Sequence, residues 1–380
     1  MTEIVARIAS GVAAFEAADW DRCAGSLNPF TSHAFLSALE DSGSATGRAG
    51  WQPVPIAIDG ADGRPAAVMP AYVKSHSQGE YVFDHSWAAA YERAGGDYYP
   101  KLQIAVPFTP VPGRRLLTDD AELAIALIGA AEAVVAQNQL SSAHATFITE
   151  DEAALFERAG WLIRIDSQFH WHNDGYASFE DFLAALSSRK RKTVRKERSA
   201  ALEGLSVEHV AGADIKERHW DAFWAFYQDT GSRKWGRPYL TRRFFSLLGE
   251  RMADRILLIF ALRDGEPIAG ALNLIGEDTL YGRYWGTVDE IPHLHFEICY
   301  YQAIEAAIAL GLARVEAGAQ GSHKLSRGYR PVPTWSAHHI ADPNLRRAVA
   351  DYLEAERPAM LREIGELDQM SPFRKAEPDA

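Results

Sequence analysis

Apolar residues recur at helical spacing at the start of the chain. Ile4, Ile8, Val12 and Phe15 fall on one face and predict a short helix within residues 1–24. Asn28-Pro29 ends it, and Thr31 caps a second helix from His33 to Asp41. The period then changes to that of strands. Pro53 to Ile58 and Pro65 to Lys74 flank the turn Asp62-Gly63, a hairpin signal, and Glu80 to Asp84 reads as a third strand. Residues 85–117 have no clear period, and Pro100, Pro107, Pro110 and Pro112 exclude a long helix there. Thr118 caps an amphipathic helix to about Gln139, and strand, helix and strand follow at 143–148, 151–159 and 161–170.

A second series starts near Asn173. Ser178 and Asp181 make a capping pair before Phe179, Phe182, Leu183 and Leu186, and this helix is expected to continue into the basic run Arg189 to Arg198. A strand at 205–210 and helices at 214–229 and 241–252 follow. Strands at 255–262 and 267–275 flank a second turn, Asp264-Gly265, and a third strand covers 279–285. A helix at 295–310, a strand at 312–316, a Gly-rich loop and a strand at 334–340 complete the series. The helix at 344–365 is expected to be interrupted at Pro358.

The two series share one order. Asp62-Gly63-Arg64-Pro65 matches Asp264-Gly265-Glu266-Pro267, and Tyr98-Tyr99 lies as far beyond the first turn as Tyr300-Tyr301 beyond the second. The pattern predicts an internal duplication of mixed-sheet α/β units, each a meander followed by a β-α-β crossover.

Composition narrows the function. The net charge is −12, which argues against general nucleic-acid binding, yet residues 165–345 are nearly balanced. Cys23 and Cys299 are the only cysteines, too few for a disulfide framework or zinc knuckle, and a reducing cytoplasm is expected. The N-terminus does not read as a secretory signal, and no apolar run is long enough to span a membrane. Phosphate-loop, dinucleotide, serine-hydrolase and C-x-x-C motifs are absent from the sequence.

Candidate chemistry concentrates in EAGAQGSHKLSRGYR, Glu316 to Arg330. Glu316, Gln320, His323, Lys324, Arg327 and Arg330 stand among Gly318, Gly321 and Gly328, which permit close backbone approach. Glu316, Glu297, His295 and His323 are alternative bases, and the spacing of HLHFE on a helix argues against a metal. Seven of the ten residues from Arg189 to Arg198 are Lys or Arg, and Lys190, Arg191 and Arg195 are expected to hold phosphates. Asp84, Trp87, Tyr91, Tyr99, Lys101, Phe108 and Thr109 form a polar and aromatic set in the aperiodic segment.

With these residues assembled, the chain resembles FemAB-like proteins of the GNAT acyltransferase superfamily. The segments that carry the resemblance include GRPAAVMPAYVKSHSQGEYVFDHSWAAAYERAGGDYYPKL, VPFTPVPGRRLL, SRKRKTVRKER, LYGRYWG, LHFEICYYQAIE and EAGAQGSHKLSRGYRP. The resemblance covers about Asn28 to Ile340. It implies an α/β (α+β) chain of tandem duplicated GNAT-like domains around a cleft, divided 1–165, 166–345 and a C-terminal helix and tail at 346–380. It further implies an acyl- or aminoacyltransferase that acylates an amine of a peptide, amino acid or cell-wall-precursor acceptor, with a non-catalytic binding module as the alternative. In that reading Glu316, His323, Glu297 and Gln320 carry catalysis. Asp84, Trp87, Tyr91, Tyr99, Lys101, Thr109, Arg283, His295, Tyr301, Lys324 and Arg327 bind substrate. Arg115, Lys190, Arg191 and Arg195 bind the donor. The donor is acyl-CoA or aminoacyl-tRNA, the latter held by the basic helix. Neither is favoured by a phosphate-loop consensus, since TVDEIPHLHFE opens with the two acids Asp289 and Glu290 and has no glycine where GNAT enzymes place theirs.

Overall fold

The computed structural model describes residues 4–235, 238–318 and 321–374. In chain order the elements begin with β1 (Ala6–Ile8), α1 (Ala17–Ala24), α2 (His33–Asp41), β2 (Trp51–Pro53), β3 (Ile56–Asp59), β4 (Pro65–Met69) and β5 (Ala71–Lys74). Then come α3 (His85–Arg93), β6 (Lys101–Ile104), α4 (Ala121–Gln137), β7 (Ser142–Ile148), α5 (Glu150–Arg158) and β8 (Leu162–His172). The chain continues through α6 (Phe179–Ala185), α7 (Ser188–Ala201), β9 (Ser206–Ala211), α8 (Glu217–Trp235), α9 (Arg242–Met252), β10 (Ile256–Arg263), β11 (Glu266–Ile275) and β12 (Thr279–Thr287). It closes with α10 (Leu294–Phe296), a π-helical turn at Glu297–Tyr301, α11 (Gln302–Ala309), β13 (Arg314–Glu316), a 3₁₀ helix at Ser322–Arg327, β14 (Arg330–Ile340) and α12 (Pro343–Gln369).

Two compact units divide the chain. The first comprises Met1–Asp166, Tyr239–Arg251 and Pro333–Arg362, and the second Ser167–Pro238, Met252–Val332 and Glu363–Ala380. The expected tandem of GNAT-like α/β units is present, but the expected uninterrupted second domain at 166–345 is not. Phe244 of α9 packs edge-on against Phe35 at 5.8 Å, which ties that helix into the first unit. Leu345, Val349 and Leu353 of α12 share a buried cluster with Trp87 and Tyr98, so this helix is no separate appendage. The register also exchanges strands. Trp335–Ile340 of β14 pairs with β7 in the first unit, and His170–His172 of β8 pairs with β13 in the second.

In the first unit Pro70 separates β4 from β5. It has no N–H to give a ladder, and the chain changes sheets there: β4 joins β1 and β3, while β5 pairs with β2 and β6. The crossover helix α4 is capped two residues later than Thr118, because Asp120 accepts hydrogen bonds from the Glu122 and Leu123 amides. Its Leu127, Ile128 and Ala131 fill the core beside β6 and β7, which run parallel. In the second unit β9 to β12 form an antiparallel meander, and α11 leads into β13, parallel to β12. Asp264 and Gly265 both have positive φ, 53° and 83°, as a two-residue hairpin turn requires.

Several expectations are corrected. Ile4 and Ile8 are exposed, and residues 6–8 form a strand paired with β3 rather than a helix. Glu80 to Asp84 is not a strand; the third strand of the first meander is β6. The insertion of α3 before β6 shifts the repeat, so Tyr98-Tyr99 precedes β6 while Tyr300-Tyr301 follows β12, and the two pairs are not equivalent. Leu186 is extended between α6 and α7, which breaks the expected continuous basic helix. Finally, α12 runs on through Pro358.

Candidate functional site

The second unit opens where its parallel strands part. β12 pairs with β13 only from Thr279 to Tyr281, because β13 ends at Glu316 while β12 runs on to Thr287. Beyond that point β12 is bulged. Leu272 faces Tyr284 and Asn273 faces Gly282, leaving Arg283 as the extra residue. A pocket of about 80 Å³ occupies this splay. Ala271, Asn273 and Gly282 line it from the strands, and Trp285, His295, Cys299 and Tyr300 surround it. His295 and Cys299 stand four apart on one helical face, and the π-helical turn brings Tyr300 in beside them. Arg283, Tyr284 and Ala317 complete the lining.

The loop after β13 braces this pocket. Tyr300 Oη lies 2.9 Å from His323 Nε2. Burial lowers the His323 pKa, and the charges of Arg327 and Lys324 lower it further. Lys324 is buried and its Nζ donates to the Gly318 carbonyl at 2.8 Å. Burial brings its pKa down to about 7, Cys299 acting against the shift and Arg283 with it. Arg327 lies 3.4 Å over the Phe296 ring and donates to Glu197 at 2.8 Å, and Tyr301 donates to the same carboxylate. These bonds anchor the 3₁₀ helix to α7. Gln320 falls outside the described residues.

Glu316 is turned away from that lining. It faces Tyr281 and His170 across the ladder, with Oε1 3.8 Å from His170 Nδ1 and 3.6 Å from Arg314 Nε. Burial pushes its carboxyl up to about 7, against the pull of Arg314 and Arg283. Its Oε2 has no hydrogen-bond partner among the described residues. Glu297 is fully buried and held by Arg198, whose Nη2 is 2.9 Å away; Arg198 also bonds Glu305, and Gln302 donates to Glu297 at 2.7 Å. That carboxylate is engaged in pinning α7 to the helical crossover. On α7 itself Lys190 and Arg191 are half-buried, and Arg195 is exposed and paired with Glu180 at 2.6 Å. The buried side of this helix is Val194 and Ala201.

The sequence-derived set in the first unit folds into a closed polar layer. Lys101, fully buried, donates to Ser77 at 2.8 Å, to Glu80 at 2.7 Å and to Asp84. Tyr98 donates to Asp84 at 2.8 Å, and Tyr99 Oη meets Ser77 at 2.8 Å. His144 reaches His338, Nδ1 to Nδ1, at 2.7 Å, and Trp87 packs edge-on to His338 at 4.9 Å. Tyr91 stands where a Cβ on Gly96 would be, and buried Thr109 donates to the Pro107 carbonyl at 2.9 Å. Arg115 is a correction on physical grounds. It is fully buried, burial lowers its pKa to about 10, and its guanidinium is spent on the carbonyls of Val111, Gly113 and Arg114, where no donor phosphate reaches it.

Of the residues singled out by sequence, then, the fold places Arg283 and His295 in the pocket lining, joins His323 to it through Tyr300, and engages Tyr301 and Arg327 with Glu197 and Lys324 with the Gly318 carbonyl. Sequence reasoning missed Asn273, Gly282, Cys299 and Tyr300 as pocket residues. A signal existed: Asn273 is the one polar residue in the buried run Ala271–Leu274, and Gly282 interrupts the aromatic segment LYGRYWG. Among the described residues no cluster of His, Cys, Asp and Glu has a metal-binding arrangement, and no helix is long and apolar enough to cross a membrane.

Comparison with known proteins bears on this arrangement. A family model, FemAB-like, described as peptidoglycan biosynthesis/recognition, matches residues 11–375. No curated protein matches the chain. Among solved structures the chain is similar to FemX at 12% identity and a TM-score of 0.55, covering 88% of this chain and 98% of that one. It is also similar to L-PGS from Bacillus licheniformis at 12% identity and a TM-score of 0.50, covering 86% and 98% respectively. At that identity the likeness concerns the fold.

Proposed function

The chain belongs to the FemAB-like family of peptidoglycan biosynthesis and recognition, and from that premise we propose that it transfers an acyl or aminoacyl group to an amine of a peptide, amino acid or cell-wall-precursor acceptor. The observation that carries this reading is the Tyr300–His323 contact, 2.9 Å long, which leads from the pocket wall to an exposed histidine.

In this reading the acceptor amine attacks the acyl carbonyl. The new C–N bond forms, the bond to the donor's leaving atom breaks with its electron pair, and the nitrogen must lose a proton. Tyr300 Oη takes that proton while passing its own to His323 Nε2, which releases it to solvent. Burial and the neighbouring cations hold His323 below the ordinary histidine value, so the ring is neutral and able to accept near pH 7. Lys324 supplies positive charge within electrostatic reach of Cys299 on the pocket wall, on the side where negative charge develops on the carbonyl oxygen. Lys190 and Arg191 on α7 hold the donor's phosphates, whether those of coenzyme A or of aminoacyl-tRNA. Glu316 is the second candidate base, favoured by its raised pKa and its unpartnered Oε2.

A binding role without chemistry is the alternative. It is favoured by the turn after β12, where Asp289 is paired to Arg263 at 2.5 Å and no glycine loop faces a phosphate. The test offers acyl-CoA and aminoacyl-tRNA donors with a pool of amines and reads products by mass spectrometry. Transfer that falls in Tyr300→Phe and His323→Gln supports the relay. A Glu316→Gln variant that alone abolishes transfer moves the base to Glu316. No product from any donor leaves the binding role.

A further inference from the structure

Glu197 is the one acid in the basic run from Arg189 to Arg198. On the exposed side of α7 it would be a counter-charge to its neighbours. Instead it shares a stripe with Val194 and Ala201, three before and four after it, which are the buried residues of the helix. Its side chain is 12% exposed. Both carboxylate oxygens are taken by groups outside α7. Oε1 accepts from Arg327 Nη2 at 2.8 Å, and Oε2 accepts from Tyr301 Oη.

Each of these partners holds one member of the Tyr300–His323 pair. Tyr301 follows Tyr300 in the π-helical turn, so tying down its hydroxyl restrains the rotation of that turn about its axis. Arg327 reaches back to His323. Its Nη1 donates to the His323 carbonyl at 2.7 Å, and its guanidinium lies 3.4 Å over the Phe296 ring, which is itself 5.6 Å from the His323 ring. Gly321 leaves that ring its place, since a Cβ there would fall 2.4 Å from His323 Cε1. Arg327 is 6% exposed, and a buried guanidinium keeps its place against a carboxylate. Without Glu197 it would turn to solvent and leave both the His323 carbonyl and the Phe296 ring. An exposed histidine released in this way samples several rotamers, few of which reach Tyr300.

We infer that Glu197 is the positioning residue of the Tyr300–His323 pair: its two oxygens register the π-helical turn against the 3₁₀ helix and so keep His323 Nε2 on Tyr300 Oη. The consequence for rate rests on the transfer reading; the positioning does not. The experiment uses the intact chain and two readouts, the nitrogen chemical shifts of the His323 ring by NMR, assigned by their loss in His323→Gln, and transfer kinetics. Tyr300→Phe marks the shifts of a ring without its bond. Glu197→Ala is expected to move the His323 shifts to those of Tyr300→Phe. Its kcat should fall about tenfold with KM for donor and acceptor little changed. Glu197→Gln, which keeps an oxygen for Arg327, should restore most of both. Parental His323 shifts in a folded Glu197→Ala chain, or a rate lost through KM alone, overturn the inference. If Glu197→Ala does not fold, Arg327→Met removes the arm to His323 and is read in the same way, parental shifts again overturning it. Shifts that follow Glu197 in a chain without transfer keep the positioning and remove the transfer reading; transfer in a chain whose shifts ignore Glu197 removes the positioning alone.

Discussion

Each unit lays polar side chains along its sheet, and the two layers differ in what encloses them. In the first, Lys101, Glu80, Asp84, Tyr98 and His144 are linked to one another by hydrogen bonds in the interior. In the second, Asn273, Gly282 and Arg283 border an open pocket. The strand after each crossover accounts for the difference. β7 has seven residues, all buried, and outlasts β6, whereas β13 has three and pairs with only Thr279–Tyr281 of the nine-residue β12, whose other edge is paired with β11. A β-α-β crossover that returns on a long strand seals its sheet; one that returns on a short strand leaves a site. Duplication supplied two such frames, and in this chain the second carries the pocket.

The largest expected effect comes from breaking the sealed layer. Lys101→Met leaves buried Asp84 without its cation and Glu80 with only Lys74 at 3.8 Å, and should cost about 3–5 kcal/mol in urea unfolding. Lys324→Met, whose amine bonds a single carbonyl, should cost under about 1 kcal/mol while reducing transfer. Equal stability losses for the two would erase the distinction between a structural and a working lysine.

Next is a matched pair of hydroxyl deletions. Tyr300→Phe should lower the transfer rate by about 10²-fold with little change in stability. Tyr98→Phe should lower stability by about 1–3 kcal/mol and leave the rate alone, since it removes a buried donor to Asp84. A rate that follows Tyr98 instead would move the chemistry to the first unit.

Acid should separate the layers more gently. Burial lowers the His338 pKa from 6.5 to about 3, and that of His144 well below its ordinary value. A histidine kept neutral in the fold contributes stability that is complete above about pH 6.5. It is lost as pH falls towards the folded pKa, because the unfolded chain then binds more protons. Glu40, Glu80 and Glu152, raised to about 7 chiefly by burial, act in the opposite sense over the same window. The readable quantity is thus a difference: between pH 6 and 4 the parent should lose stability faster than His338→Gln by up to about 1.4 kcal/mol per pH unit. Parallel unfolding curves would show that the histidine pair is not held neutral.

The smallest effect is at the surface. Lys190→Ala with Arg191→Ala should alter stability by less than about 0.5 kcal/mol, yet weaken binding of a polyanionic donor and flatten its salt dependence. Unchanged salt dependence would remove α7 from the site.

Much of the frame was legible because it depends on local rules. Two Asp-Gly turns, the apolar runs of β10 and β11 that flank the second of them, and the crossover helix α4 follow from turn chemistry and apolar spacing. The aperiodic segment 85–117 was not, since Trp87 and Ala88 are the only buried residues of α3 and leave almost no stripe to read. Arg115 shows the same limit at a side chain. Beside a glycine and another arginine it reads as an anion site, and only its enclosure by the Val111, Gly113 and Arg114 carbonyls shows otherwise.

The sequence by itself determined the duplicated α/β plan, the family and the stretch Glu316 to Arg330 as rich in able groups, because periodicity, turns and composition are properties of neighbouring residues. The tertiary structure alone decided which of those groups meet a pocket. It exchanged β8 and β14 between the units, ended β13 at three residues, and turned Glu316 to His170 while placing Asn273, Gly282 and Tyr300 together. Those outcomes depend on pairing register and burial between residues far apart in the chain, and no local pattern encodes them.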